Sequence, residues 1–275
     1  MNIFYVVGSP RSGSTFIYNA ICSNDYFNYA LPENHLVPSL VNFFINQIQR
    51  NQEIEKNKIF NSNEDIKEYF NECLDKFFKK ILKKYNSKNL ILKSILFAPD
   101  IHFMDVLYPK VNYVMTIRDP KDIIASMINI STKQKKYNKN IQYPRDVKKL
   151  CEFVNHKYRV LFNPNQKKFI QEKIFCIKYE DFIKNPKLIL NNFAKKFSLN
   201  IDYSNEDNFW KRNIMNEKNT KFNEDQTNFY LDYESDLWGK PASKSRIGVF
   251  KDLLSMQEIN AINLHCKRII DFFNY

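Results

Sequence analysis

Apolar and polar positions alternate along this chain in short blocks. Residues 2–7, NIFYVV, form a run closed by Gly8 and Pro10, which predicts a short buried strand. Directly after the loop, STFIYNAICS places Phe16, Ile17, Ala20 and Ile21 at helical spacing on one face. NLILKS (89–94), VNYVMTI (111–117) and IFCIK (174–178) repeat the strand signal, and FNYAL (27–31) is a further candidate that ends at Pro32. The stretch 95–104, ILFAPDIHFM, reads as a loop.

Helical patterns lie between these runs. In KDIIASMINI, Ile123, Ile124, Met127 and Ile128 share a face, Asp119 can cap, and Pro120 suits the first helical position. PKLILNNFAKKF (186–197) predicts another helix. SMQEINAINLHCKRIIDFF (255–273) predicts a terminal one, opened by a capping box of Ser255 and Glu258. Residues 38–89 are mostly helical in pattern, polar and lysine-rich, with a break near NSNED (61–65). Strands alternating with helices predict an α/β fold with a mainly parallel central sheet flanked by helices, three layers in all. Ligands in such sheets sit beyond the carboxyl ends of the strands.

The length of 275 residues and the absence of a flexible linker predict one domain over 1–275, with a helical insert at about 38–89. Net charge is +12, which raises anionic partners. The lysines, however, are scattered and often sit beside asparagines, as in KQKKYNKN, the pattern of a solvated face. No recognition-helix or RNA-platform signature accompanies them, so no nucleic-acid partner is expected. Five cysteines without a CxxC pair fit a reduced compartment without structural zinc. No segment reads as a signal peptide or a membrane span. The expectation is a cytoplasmic protein; oligomeric state is not legible.

The chemistry gathers in GSPRSGST, residues 8–15. A phosphate-binding P-loop reads G-x-x-x-x-G-K-[ST]. Here Gly8 and Gly13 have the right spacing and Thr15 ends the motif, but Ser14 stands where lysine belongs. Backbone amides of the turn and helix start can still hold an anion, with Arg11 as the loop's own cation. The strand NLILKS brings Lys93 to a position where a nucleotide hydrolase often has a metal-binding acid. Fixed cations in place of a metal suit a transferring group less anionic than a γ-phosphoryl, such as a sulfuryl group.

GSPRSGST together with IRDPKDIIASM resembles the sulfotransferase family that uses 3′-phosphoadenosine-5′-phosphosulfate (PAPS) as donor and requires no metal. The resemblance implies a P-loop-like α/β fold. It assigns Arg11, Ser12, Gly13, Ser14 and Thr15 to the 5′-phosphosulfate, and Arg118 and Ser126, eight residues apart, to the 3′-phosphate. IKYEDFIKNP (177–186) is similar to a family strand and turn, which would place Tyr179 near the nucleotide. SKSRIGVFKDLLS (243–255) resembles the segment that closes over the donor, suggesting Ser245, Arg246 and Gly248 as phosphate contacts. Where some relatives carry a second basic residue one turn after the helix serine, this chain has Ile130.

One branch of the family places a histidine base two residues after a strand-end lysine; here that position is Ile95. Another, acting on protein tyrosines and some carbohydrates, uses a glutamate about two dozen residues after the loop. LPENHLVPSLV supplies Glu33 there, with Pro38 at the matching spacing. The resemblance therefore implies Glu33 as general base, with Lys93 and Arg11 at the sulfate and the bridging oxygen; His35 stays open as an alternative base. The expected acceptor is a hydroxyl on a carbohydrate, glycolipid or small metabolite. Two other readings stay open: a P-loop-type small-molecule kinase, and a non-catalytic basic nucleic-acid-binding protein.

Overall fold

The computed structural model describes residues 1–50, 60–203 and 243–275, with side chains 47–50 excepted. Four strands, β1 (Ile3–Gly8), β2 (Leu90–Lys93), β3 (Val111–Ile117) and β4 (Ile174–Lys178), form a parallel sheet in the order β2-β1-β3-β4. Val6 pairs with Lys93, Gly8 with Thr116, and Ile117 with Lys178. This register brings the carboxyl ends of all four strands to one edge.

Strand alternation sends neighbouring side chains to opposite faces. Ile3, Tyr5 and Val7 enter one apolar cluster, whereas Phe4 and Val6 enter the other. The Phe4 face is covered by α1 (Ser14–Ile21), α8 (Tyr179–Lys184) and α9 (Pro186–Lys196). There Phe4 meets the rings of Phe27, Phe193 and Phe197 at centroid distances of 5.6, 5.3 and 5.0 Å. Burying one such ring contributes about 1.5–3 kcal/mol. The opposite face takes α2 (Leu36–Arg50), α3 (Asn63–Lys84), α4 (Ile101–Leu107), α6 (Val147–Tyr158) and α11 (Met256–His265). Of the helical stretch expected at 38–89, α3 buries Ile66, Phe70, Leu74, Phe78 and Leu82 at four-residue intervals and leaves its lysines outside.

Caps mark the helix starts where the sequence placed them. Asp119 accepts from the Lys121 amide at 2.9 Å ahead of α5 (Pro120–Lys136), and the Ser255/Glu258 box opens α11 with both reciprocal bonds formed. Three expectations change. FNYAL is not a strand: a single parallel bridge, Phe27 to Asn89, is all that pairs. The Asn28 side chain takes the strand's place, accepting from the Ile91 amide at 2.7 Å and donating to its carbonyl at 3.0 Å. The expected loop 95–104 is a 3₁₀ turn, Ile95–Asp100, that runs into α4. The terminal helix is broken at Cys266 into α11 and α12 (Lys267–Phe273).

Candidate active site

The first loop is shaped by two close approaches that exclude a side chain. A Cβ at Gly8 (φ +147°) would lie 2.4 Å from Thr116 Oγ1, and one at Gly13 (φ +86°) would lie 2.4 Å from the Tyr179 ring. Between them Arg11 also adopts positive φ, 68°, a conformation that costs a residue with a side chain about 1–2 kcal/mol. Ser12 is turned inward: its hydroxyl donates to the Ser9 carbonyl at 2.7 Å and contacts Thr116 Oγ1 at 2.6 Å. Gly13 precedes α1 and no side chain caps that helix. The first-turn amides and their positive dipole end therefore face the loop's opening, an arrangement suited to an anion. Ser14 and Thr15 are the first two residues of that turn.

Arg118, at the end of β3, is 5% exposed and knits three segments. It donates to the Arg11 carbonyl at 2.9 Å and to the Arg246 carbonyl, lies 3.7 Å from Asp122, and stacks over the Tyr179 ring at 4.8 Å. Its Nε is buried without a partner. Arg11 Nε reaches Ser126 Oγ at 3.2 Å, across 115 residues of sequence. Burial raises the Tyr179 pKa, opposed by the charge of Arg118. Asp122 accepts from the Gly248 amide at 2.8 Å and the Phe250 amide at 3.2 Å, pinning the C-terminal segment to α5. Arg11, Ser126, Arg118, Tyr179, Arg246 and Gly248 are thus brought together. Ser245 stands apart from them: it is exposed, and its hydroxyl is bonded by Ser243 at 2.8 Å.

A second group lies at the end of β2. The Lys93 ammonium is 3.1 Å from Glu33 Oε2 and donates to Thr15 Oγ1 at 3.1 Å. Glu33 Oε1 accepts from the Ile95 amide at 2.7 Å, the first amide of the 3₁₀ turn. The chain beside the carboxylate is fixed by the Asn34 amide, which donates to the Lys93 carbonyl at 2.8 Å. His35 is exposed, and among the described residues its one hydrogen-bond partner is Ser39, which bonds its carbonyl. At the far end of the turn a polar cleft of about 720 Å³ opens, lined by Asn42, Asn46, Asp100, His102, Arg159 and Asn163 among others.

Two members escape sequence reasoning. Asp122 reads as an ordinary first-turn acid until the Gly248 and Phe250 amides fold onto it. Ile95 contributes only its amide, which no residue type announces. No group of three or more metal-ligating side chains is gathered among the described residues, and no helix among them is long and apolar enough to cross a membrane. Chemically, the opening offers an uncapped helix start, the cations Arg11, Arg118 and Lys93, and the Glu33 carboxylate set against Lys93. That combination can hold a multiply charged anion and take a proton beside it.

The sequence pattern described as "Sulfotransferase family" matches residues 3–203. No curated protein matches the chain. Among solved structures, the chain is similar to the sulfotransferase domain of the Synechococcus PCC 7002 olefin synthase (TM-score 0.62, 16% identity, covering 100% of this chain and 95% of that one). It is similar also to the sulfotransferase domain from the curacin biosynthetic pathway (TM-score 0.60, 14% identity, 100% and 98% covered). Sulfotransferase STF9 from Mycobacterium avium aligns at TM-score 0.53 and 11% identity, over 99% of this chain and 76% of that one. At these identities the likeness speaks to fold.

Proposed function

This chain belongs to the sulfotransferase family, and on that premise we propose that it moves the sulfuryl group of PAPS onto a hydroxyl of a carbohydrate, glycolipid or small metabolite. The observation that carries the reading is Lys93, which touches the carboxylate of Glu33 and the hydroxyl of Thr15 at once. One ammonium therefore links the proton-accepting group to the anion-holding turn.

The donor, when bound, supplies an activated sulfuryl group on a phosphate leaving group. The residues present fit it: α1 has no side-chain cap, and Arg118 keeps an unused buried Nε. Gly13 to Thr15 and Arg11 hold the 5′ end, while Ser12, expected from the sequence to join them, is buried and spends its amide and hydroxyl inside the loop; Arg118 and Ser126 hold the 3′-phosphate, with Arg246 and Gly248 alongside. Glu33 takes the proton from the acceptor hydroxyl as its oxygen bonds to sulfur. The sulfur–oxygen bond to the phosphate breaks, and its electron pair stays on the phosphate oxygen. Lys93 and Arg11 stabilise that developing charge. Five free cysteines support a reduced, cytoplasmic setting.

The test is thermal. Adenosine 3′,5′-bisphosphate, the desulfated donor, at 100 times its Kd stabilises by about 2.7 kcal/mol through mass action. At roughly 2–4 °C per kcal/mol for a chain of this size, the expected Tm rise is at least about 5 °C, with no magnesium present. Stabilisation by ATP with magnesium but not by the bisphosphate would overturn the reading.

A further inference from the structure

The polar cleft at the end of the 3₁₀ turn Ile95–Asp100 takes no part in the reaction described above. Its volume, about 720 Å³, falls within the range of small-molecule sites, about 300–1,000 Å³. Its lining comes from α2 through Asn42 and Asn46, from the turn and α4 through Asp100 and His102, and from Arg159 and Asn163. The two charges among these are paired with each other: Arg159 bonds the Asp100 carboxylate and also donates to the Pro99 carbonyl at 3.2 Å. A guanidinium with five N–H groups and a carboxylate with two oxygens keep bonding capacity beyond those contacts.

His102 lies against the Phe103 ring at 4.0 Å, and its Nδ1 is buried with no hydrogen-bond partner among the described residues. Burial also lowers its pKa, which keeps the imidazole neutral near pH 7, with one nitrogen donating and the other accepting. Asn42 and Asn46 are exposed and add amides that do both. Interleaved donors and acceptors of this kind match an uncharged molecule with many hydroxyls, each of which can give one bond and take others. An anion would have to displace Asp100 from Arg159. An apolar chain would strand the His102 nitrogen.

Two elements measure how far the cleft stands from the proposed base. Glu33 is bonded at the Ile95 amide, whereas the cleft begins at Pro99 and Asp100; at about 2.0 Å per residue of 3₁₀ turn, that is about 8–10 Å. Along α2, which starts at Leu36, Asn42 is reached after about 9 Å at 1.5 Å per residue. A single sugar ring is shorter than that span.

We infer that this cleft is an acceptor subsite for an uncharged saccharide of two or more rings, one ring lying in the cleft while a hydroxyl of its neighbour reaches Glu33. The inference rests on the sulfuryl-transfer reading above and narrows its acceptor to neutral glycans, free or as the headgroup of a glycolipid. Asn42, His102 and Arg159 position the acceptor and take no part in the proton transfer.

The experiment uses the full chain with radiolabelled PAPS. The acceptors are the methyl glycosides of glucose, galactose, mannose and N-acetylglucosamine, disaccharides of these sugars, the same disaccharides on an octyl chain, 3-hydroxybutyrate and 1-octanol. At least one disaccharide should be labelled with a KM at least about tenfold below that of its single-ring glycoside, equivalent to about 1.4 kcal/mol. Asn42→Leu and His102→Phe should each erase most of that advantage, through KM rather than kcat, with affinity for adenosine 3′,5′-bisphosphate retained. Asn42 is exposed, so its variant decides even if His102→Phe fails to fold. Equal KM for free and octyl-linked disaccharides assigns the subsite to a free glycan, and a lower KM for the octyl forms assigns it to a glycolipid headgroup. Single-ring glycosides labelled as well as disaccharides, label on hydroxybutyrate or octanol in their place, or no labelled saccharide at all overturns the inference. So does a disaccharide advantage that survives Asn42→Leu. Failure of the bisphosphate to bind the wild type would instead sink the sulfuryl-transfer reading itself.

Discussion

Arg118, buried, and Lys93, half-buried, are both cations at strand ends, but they are held in opposite ways. Arg118 is fixed by main-chain carbonyls from the first loop and the C-terminal segment, by Asp122 and by the face of Tyr179. Lys93 is held by side chains alone, the proposed base Glu33 and the loop hydroxyl of Thr15. The first arrangement makes a cation part of the scaffold. The second pairs a cation with a carboxylate, each keeping one further contact, Thr15 for Lys93 and the Ile95 amide for Glu33. On the proposed reading, phosphate recognition and architecture are merged on one side of the opening, and chemistry is kept separate on the other.

The largest effect should come from the separable side. Glu33→Gln should lower kcat by about 10²–10⁴-fold, the range of a positioned general base, while affinity for the desulfated donor and the melting temperature stay near wild type. A large loss of stability would show that Glu33 is architectural and erase the contrast. Arg118→Met should do the reverse. Leaving Asp122 buried without its cation should cost stability by about 3 kcal/mol, and donor affinity should fall with it; denaturant unfolding and calorimetric titration read the two losses. A variant that loses donor binding at full stability would place Arg118 in the same class as Lys93. The smallest effect is expected from Asp122→Asn, which keeps one acceptor oxygen for the Gly248 and Phe250 amides. It should cost about 1–2 kcal/mol and weaken donor binding less than Arg118→Met.

Much of this was legible in the order of residues. The opening strand, the loop and the start of α1 follow from an apolar run, two glycines and a helical face. Asp119 with Pro120, and Ser255 with Glu258, announce caps that form as read. FNYAL misleads because its apolar alternation is real, while the Asn28 amide replaces the backbone a partner strand would offer. The helix α6 was within reach, since Val147, Leu150, Cys151, Val154 and Tyr158 recur at helical spacing. The burial of Lys157, on α6 and 5% exposed, was beyond reach, since a lysine carries no mark of burial in its own sequence. The link between Asp122 and Gly248 is of the same kind, set by tertiary closure across 126 residues.

The double grip of Arg118 also orders events during synthesis. Its guanidinium bonds a carbonyl in the opening loop and another 128 residues further along the chain than itself. At the roughly 5–20 residues per second of translation, that second carbonyl is made on the order of ten seconds after the arginine. The nascent chain can complete its sheet during that interval, but its anion-binding mouth stays unfinished until the ribosome delivers Arg246.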